Sequence, residues 1–558
     1  MCGVFGIYSF RDDDIDHSDA MNALAAIGHR GRDHVGHFQD RRFFVGLNRL
    51  SIYDLSPQAH QPFRSDDYII AFNGAIFNFA EIREELEKSK VIFTTNSDTE
   101  VLLKAYEYYG AGFENKLNGM WAFVIYETSS GNLYISRDRY GIKPLYYTFL
   151  KDGIAFSSEI KSFYKLKNWN PVFKLDSEKM FDQDIHEIEQ VFENIHQVEP
   201  GTYSVLEKNK KLVSHRYYHW NWEESMNNKI RREEAIDSFL TLLEDSFRLR
   251  YRADVPVGLA LSGGMDSNAI ASLMPNGTDV FSVVFEGYPI SEKSFIEHTI
   301  RKRNFNPHWV DYDLDTYVQN IESVTYHQEL PFQNFSVIAQ HLLFQAAADS
   351  GMKVMLSGQG ADEILMGYDM NYRYFVFQLL NANKLEGLIE LGKIAMKNPS
   401  GILKKLLQHR DTTQKPIMNS QINSLKGLAY FMMNTNPLPQ LLRFEDRNSM
   451  AHGIESRQVF LDHRLVEFCF SLPDEYLISK GLRKPLLRDS MQGKVPIEII
   501  ERKDKIAFNT PQKEWLKGNS NLLNTLAHEA LRDLNINVTS PNKLKLISLY
   551  FWMKNFKK

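Results

Sequence analysis

The sequence predicts two folds in one chain: an α+β layered unit over about the first 200 residues, then a doubly wound parallel α/β unit from about residue 231 with a mainly helical remainder. Three observations predict this. Short strand-like runs interrupted by two helices fill the amino-terminal part. Strands alternate with helices after residue 231. A glycine-rich turn follows the first of those later strands.

In chain order, residues 42–47, 68–72 and 121–126 are apolar runs of strand length. A helix begins near Phe79 and carries Ile82 and Leu86 beneath a charged outer face. A second begins at the cap-like Ser97-Asp98, places Val101, Leu102 and Tyr106 at helical spacing, and stops at Gly110. A polar stretch at 207–212 and an aromatic stretch at 217–222 mark a linker, so the expected units are residues 1–205, a linker at 206–230, and 231–558. A helix over 231–251 then leads into the apolar run 255–261, a helical stretch from Asn268 and a strand over 280–285. A helix over 337–348 and a strand over 353–356 follow, and residues 370–558 read as mainly helical.

Composition narrows the chemistry. At about 100–200 residues per domain, 558 residues suggest about two to four domains. A net charge of −5 gives no reason to expect nucleic acid or an anionic membrane as partner, and no apolar segment is long enough to span a bilayer. The start lacks a basic region and carries Asp12, Asp13 and Asp14, which argues against a signal or transit peptide and for a cytoplasmic protein. Two cysteines, Cys2 and Cys469, are too few for a disulfide framework or a cysteine-based zinc site, and they suit a reducing compartment. Cys469 lies between two phenylalanines and reads as core.

Cys2 directly follows Met1. A Met-Cys start alone is an ordinary terminus. Removal of Met1, however, would leave a thiol and an α-amine on one residue, and an amine of pKa about 8 is a base near neutrality. Farther on, Ser262-Gly263-Gly264-Met265-Asp266-Ser267 sits between a buried strand and a helix start, where backbone amides receive anionic oxygens. It lacks the Lys-Ser/Thr ending of a Walker A loop. Its Asp266 would repel phosphate unless it holds Mg²⁺. A second acidic turn, Ser357-Gly358-Gln359-Gly360-Ala361-Asp362-Glu363, follows a second strand. Both turns lie beyond strand carboxyl ends, so Asp266 and Asp362 are expected to flank one Mg²⁺–pyrophosphate.

Together these motifs resemble the glutamine-hydrolysing asparagine synthetases, in which a class II glutaminase precedes an ATP-pyrophosphatase. The resemblance also runs through His29-Arg30-Gly31, Arg49-Leu50-Ser51-Ile52, His60-Gln61-Pro62, Asn73-Gly74 and Ser97-Asp98-Thr99-Glu100-Val101. It continues through Arg137-Asp138-Arg139-Tyr140-Gly141, residues 450–462 and Lys484-Pro485-Leu486-Leu487-Arg488. It implies an N-terminal-nucleophile sandwich of β-sheets between helices, followed by a parallel-sheet adenylating domain. Cys2 would attack the glutamine amide, with its own amine as base. The Asn73 side chain and Gly74 amide would form the oxyanion hole. Arg49 would pair with the substrate α-carboxylate and Asp98 with its α-ammonium, in a pocket lined by Leu50, Ser51, Ile52, Tyr53 and Ala75. Leu261 and Val283 would flank adenine, with Ser357 and Gly358 near the ribose and α-phosphate. The turn holding Ser262, Gly263, Gly264, Asp266 and Ser267 would take the pyrophosphate, and Lys484 would neutralise phosphate charge. ATP, Mg²⁺, glutamine and a carboxylate acceptor follow as ligands, with ammonia crossing a tunnel between the sites. Oligomeric state is not legible in the sequence, which is compatible with a homodimer.

Four positions depart from the family pattern. Ala75 replaces a glutamate that helps hold the glutamine ammonium, leaving Asp98 alone. Arg32 replaces a proline and Ala507 a glycine. Gln359 stands where the family has a glutamate that supports acyl-adenylate formation or its attack by ammonia, and a glutamine cannot accept a proton as a base. With Gln328-Glu329-Leu330-Pro331-Phe332 nearby, Gln359 resembles superfamily members that amidate a sugar uronate in surface-polysaccharide synthesis. Aspartate is the default acceptor and a uronate the nearest rival. An ammonia-dependent ligase with an impaired glutaminase is a third reading. A non-catalytic scaffold is a fourth, opposed by Cys2, Asn73, Asp266 and Asp362 occurring together.

Overall fold

Side chains alternating across strands that are covered on both faces explain the amino-terminal unit of the computed structural model. Residues 2–11, 14–207, 211–224, 229–382, 424–479, 482–502, 508–517, 520–536 and 542–557 are described, together with residues 385, 387, 389, 392 and 422. Met1 and the departure at Ala507 lie outside them.

Among the described residues, two six-stranded antiparallel sheets stack face to face. The first contains β1 (Gly3–Ser9), β2 (His34–Gln39), β3 (Phe43–Arg49), β8 (Tyr146–Leu150), β9 (Gly153–Ser157) and β10 (His196–Gln197), in the order β10-β8-β9-β1-β3-β2. The second contains β4 (Phe63–Ser65), β5 (Tyr68–Ile76), β6 (Gly119–Glu127), β7 (Leu133–Arg137), β11 (Thr202–Leu206) and β12 (Leu212–Arg216), in the order β12-β11-β7-β6-β5-β4. Val4, Tyr8, Phe43, Val45, Leu47, Ile69 and Ala71 meet between the sheets. Phe5, Ile7 and Phe44 face outward, onto α1 (His17–Ala25). Ile70 and Phe72 face outward onto α2 (Phe79–Lys88) and α3 (Asp98–Tyr109). The result is the expected sandwich of sheets between helices. Ser97 caps α3 by accepting from the Thr99 amide, and Gly110, at φ 74°, ends it. β12 falls in the stretch read as linker. It is an edge strand whose last three residues are exposed, so it carries little apolar alternation.

The second unit is built on a parallel sheet of β13 (Val257–Ala260), β14 (Asp279–Val283), β15 (Asn306–Val310), β16 (Val354–Ser357) and β17 (Glu455–Gln458), ordered β15-β14-β13-β16-β17. Around it lie α4 (Arg232–Tyr251), α5 (Met265–Ala271), α6 (Ser336–Asp349) and α7 (Leu438–Ala451). α5 begins inside the glycine turn, before Asn268, because extended Gly264 serves as its N-cap. β17 lies in the stretch read as helical. Its sequence Glu-Ser-Arg-Gln has no apolar alternation, yet all four residues are buried beside β16. Cys469 is fully buried, as expected of a core residue. Among the described residues no helix is long and apolar enough to cross a membrane.

The units meet through buried, paired charges. Arg30 donates to Asp446 on α7 twice, at 2.9 and 3.1 Å, and to Glu159 at 2.7 Å. Arg447 donates to Glu329 at 2.8 Å and to the Ser158 carbonyl at 3.0 Å. Replacing Asp446 with alanine strips the fully buried Arg30 of its bidentate partner. The expected cost is about 3–5 kcal/mol, measured as a lowered midpoint in denaturant unfolding.

Candidate active sites

Cys2 is 5 % exposed and enters β1 with both backbone groups engaged. Its N–H donates to Asn73 Oδ1 at 3.0 Å, and its carbonyl accepts from Arg30 Nε at 3.1 Å. Asn73 is fully buried on β5, and its Nδ2 has no hydrogen-bond partner among the described residues. A buried donor left unpaired is costly, so this nitrogen marks a place for a ligand oxygen. At Gly74 a Cβ would stand 2.1 Å from the Met120 carbonyl oxygen, so only glycine fits against β6. Burial pushes the Cys2 thiol up and the Glu455 charge adds to it, against surrounding positive charge, Arg49 included, and the Leu50 N–H.

Arg49 ends β3 with its guanidinium buried. It donates to the carbonyls of Asp54 at 2.7 Å and Tyr53 at 3.2 Å, and it meets His60 Nδ1 at 2.9 Å. It also donates to the Ser56 carbonyl at 3.4 Å, and its charge lowers the nearby Asp54 carboxyl. Leu50, Ser51, Ile52 and Tyr53 continue as a buried segment, and Asp33 holds the Ser51 amide at 2.7 Å. Asp98, the first residue of α3, accepts from the Ile76 amide at 3.0 Å, and burial pushes its carboxyl up to about 7. Ala75 is buried and adds no polar atom. Arg32 donates to the Ala451 carbonyl at 3.1 Å and ties the two units together.

Sequence reasoning missed Glu455. This buried carboxylate reaches the Cys2 site from β17, in the other unit, and pairs with Arg457 Nε at 2.6 Å. Burial pushes it up, but the surrounding positive charges, Arg457 and Lys143 among them, outweigh burial and hold it well below the usual carboxylate range. Its charge acts on both Cys2 and Asp98. Its place among residues 450–462 was the only signal in the sequence.

The second site is a cavity of about 500 Å³ beyond the carboxyl ends of β13, β14 and β16. Leu261, Ser262, Gly264, Asp266, Ser267 and Val283 line it, as do Ser357, Gly358, Gln359, Asp362 and Lys484. Gly263 does not: its N–H donates to Glu292 at 3.1 Å, and its carbonyl accepts from Arg502 at 2.9 Å. Asp266 and Asp362 converge on Lys484 Nζ, each at 2.5 Å. Burial pushes the Lys484 amine down, and the two carboxylates outweigh it and raise it. Two carboxylates meeting at one cation fit a Mg²⁺ that takes its remaining oxygens from phosphate and water. Gln328 and Glu329, read from sequence as neighbours of Gln359, instead lie buried in contact with Asn448 and Arg447, because those side chains must be paired inside the unit junction.

Residues 1–218 match a family model described as a glutamine amidotransferase domain. Residues 238–544, more than half the chain, match one described as asparagine synthase. The chain belongs to the asparagine synthase family. Members of this family are ATP-using, glutamine-hydrolysing ligases, and this chain is one of them. It is 29 % identical to asparagine synthetase [glutamine-hydrolyzing] 1 of Bacillus subtilis, over 93 % of this chain and 89 % of that one. It is 30 % identical to a putative asparagine synthetase of Methanocaldococcus jannaschii, over 66 % of this chain and 76 % of that one. It is 27 % identical to the amidase chyE of Penicillium rubens, over 91 % and 86 %. Asparagine synthase relatives of this chain thus carry names that differ in the product they imply. Gly74→Ala is expected to force β5 off β6 at a cost of about 1–3 kcal/mol, seen as a lower midpoint for unfolding of the amino-terminal unit.

Proposed function

We propose that the protein hydrolyses glutamine at Cys2, passes the ammonia to the second cavity, and there converts a carboxylate to an amide through an acyl-adenylate, with AMP and pyrophosphate as by-products. The observation that carries this reading is the buried, unpartnered Nδ2 of Asn73 beside Cys2. The thiolate attacks the glutamine amide carbon, and the oxygen that becomes negative moves to Asn73 Nδ2 and the Gly74 amide. Arg49 takes the α-carboxylate and Asp98 the α-ammonium. Once Met1 is removed, the Cys2 nitrogen becomes an amine that Asn73 Oδ1 already orients, and it serves as the base.

In the second cavity the Ser262–Ser267 turn receives the pyrophosphate, Leu261 and Val283 bracket the adenine, and Ser357 and Gly358 face the ribose and α-phosphate. Asp266 and Asp362 would hold Mg²⁺, which supplies charge neutralisation to the phosphates when bound. Lys484, released from the carboxylates, adds a second cation there. Aspartate is the default acceptor. A uronate is the second reading, favoured by Asn334, Ser336 and Gln340, neutral hydrogen-bonding residues that line the same cavity as Gln359.

The deciding experiment measures pyrophosphate and AMP release with L-aspartate, D-glucuronate, D-galacturonate and their nucleotide-linked forms. One of them is expected to drive release, and silence from all would remove both the aspartate and the uronate readings. Cys2→Ala is expected to abolish glutamine-driven but not ammonium-driven synthesis; unchanged glutamine use would point to an impaired glutaminase. Asn73→Ala is expected to lower the glutaminase kcat by about 10²–10³. Binding an ammonium needs Asp98 ionised, and in the free protein its carboxyl is neutral below about pH 7. Glutamine kcat/KM should therefore fall as pH drops through about 7, and Asp98→Asn should remove that limb while raising KM.

A further inference from the structure

The amide-forming step needs a base. The ammonia lone pair forms a C–N bond to the acyl carbon, and the bond from that carbon to the AMP oxygen breaks. One N–H proton must leave for the product to be a neutral amide. Gln359 cannot take that proton.

Two buried carboxylates line the cavity, Glu363 and Glu445. Glu363 adjoins Asp362 at the phosphate end, and Tyr368 donates to its Oε1 at 2.6 Å. Oε2 of Glu363, like Oε2 of Glu445, has no hydrogen-bond partner among the described residues, so the two differ in place: Glu445 does not adjoin Asp362. It lies on α7, 1 % exposed, with Oε1 accepting from Ser456 and from Gln458 Nε2 at 3.0 Å. It also lies beside the junction with the amino-terminal unit. The next residue, Asp446, is bonded to Arg30, whose Nε holds the Cys2 carbonyl. Its partners Ser456 and Gln458 alternate along β17 with Glu455 and Arg457, and Glu455 acts on Cys2. A strand's alternation puts these pairs on opposite faces, one toward each site.

We propose that Glu445 is the proton acceptor for amide formation, taking the N–H proton as AMP leaves and returning it to solvent. This rests on the function proposed above. Burial pushes its carboxyl up against the hydrogen bonds from Ser456 and Gln458, which suits a group that must bind a proton transiently.

The test uses the full-length protein and its Glu445→Gln and Glu445→Asp variants, with whichever acceptor of the panel above supports pyrophosphate release. Three rates are compared: glutamate release from glutamine, acceptor-dependent ATP–pyrophosphate exchange without a nitrogen source, and amide formation with glutamine or ammonium chloride. In Glu445→Gln the first two are expected to stay within about twofold while amide formation falls by about 10²–10⁴, and Glu445→Asp is expected to recover part of the loss. Wild-type amide formation by Glu445→Gln would overturn the assignment. So would parallel loss of exchange and amide in both variants, which would make Glu445 a packing residue. No exchange in the wild type with any acceptor would overturn the proposed function, and this assignment with it.

Discussion

A buried set of paired charges holds the two active sites in one frame. Arg30, Glu159, Asp446, Arg447 and Glu329 are all nearly inaccessible to water, so each must find an opposite charge inside the protein. Burial pushes Arg30 and Arg447 toward neutrality, yet the facing carboxylates keep both charged. Asp446 and Glu159 are held below the usual carboxylate range for the reciprocal reason. The same Arg30 pins the Cys2 carbonyl. The position of Cys2 is therefore tied to a helix of the other unit, and a shift of α7 would be felt there.

β17 and α7 form a partition with different chemistry on its two sides. Glu455 and Arg457 turn toward Cys2, Tyr53 and Asp98, and Arg457 lies over the Tyr53 ring. Ser456 and Gln458 turn toward Glu445. On α7 the adjacent Glu445 and Asp446 divide the same way, one bordering the second cavity and one bonded to the glutaminase unit. Such a partition has to be polar, because it is crossed by side chains whose charges are cancelled only by partners on the far side. That requirement explains a fully buried strand made of Glu, Ser, Arg and Gln.

The departures from the family pattern acquire physical meaning from their surroundings. Arg32, in place of a rigid proline, contributes a hydrogen bond between the units. Ala75 leaves no carboxylate at its own position, and Glu455 places one near Asp98 from the other unit. Gln359 removes a titratable group from the second cavity, which retains Glu445 and Glu363.

The sequence by itself determined the layered amino-terminal unit, the parallel sheet and the two glycine turns. Those features rest on local signals: period-two alternation in doubly covered strands such as β3 and β5, the Ser97 cap and Gly110 stop of α3, and a glycine turn that must follow a buried strand. Cys2, Arg49, Asn73, Asp98, Asp266 and Asp362 stood out as candidates for the same reason, since each sits in a short motif. Tertiary structure alone decided that β17 is a strand, that Gln328 and Glu329 belong to a charge network, and that Glu445 and Glu455 border the two sites. Each of these depends on a partner more than a hundred residues away or on another strand's edge. Pairing of buried polar groups at such separations leaves no periodicity for a local reading to detect.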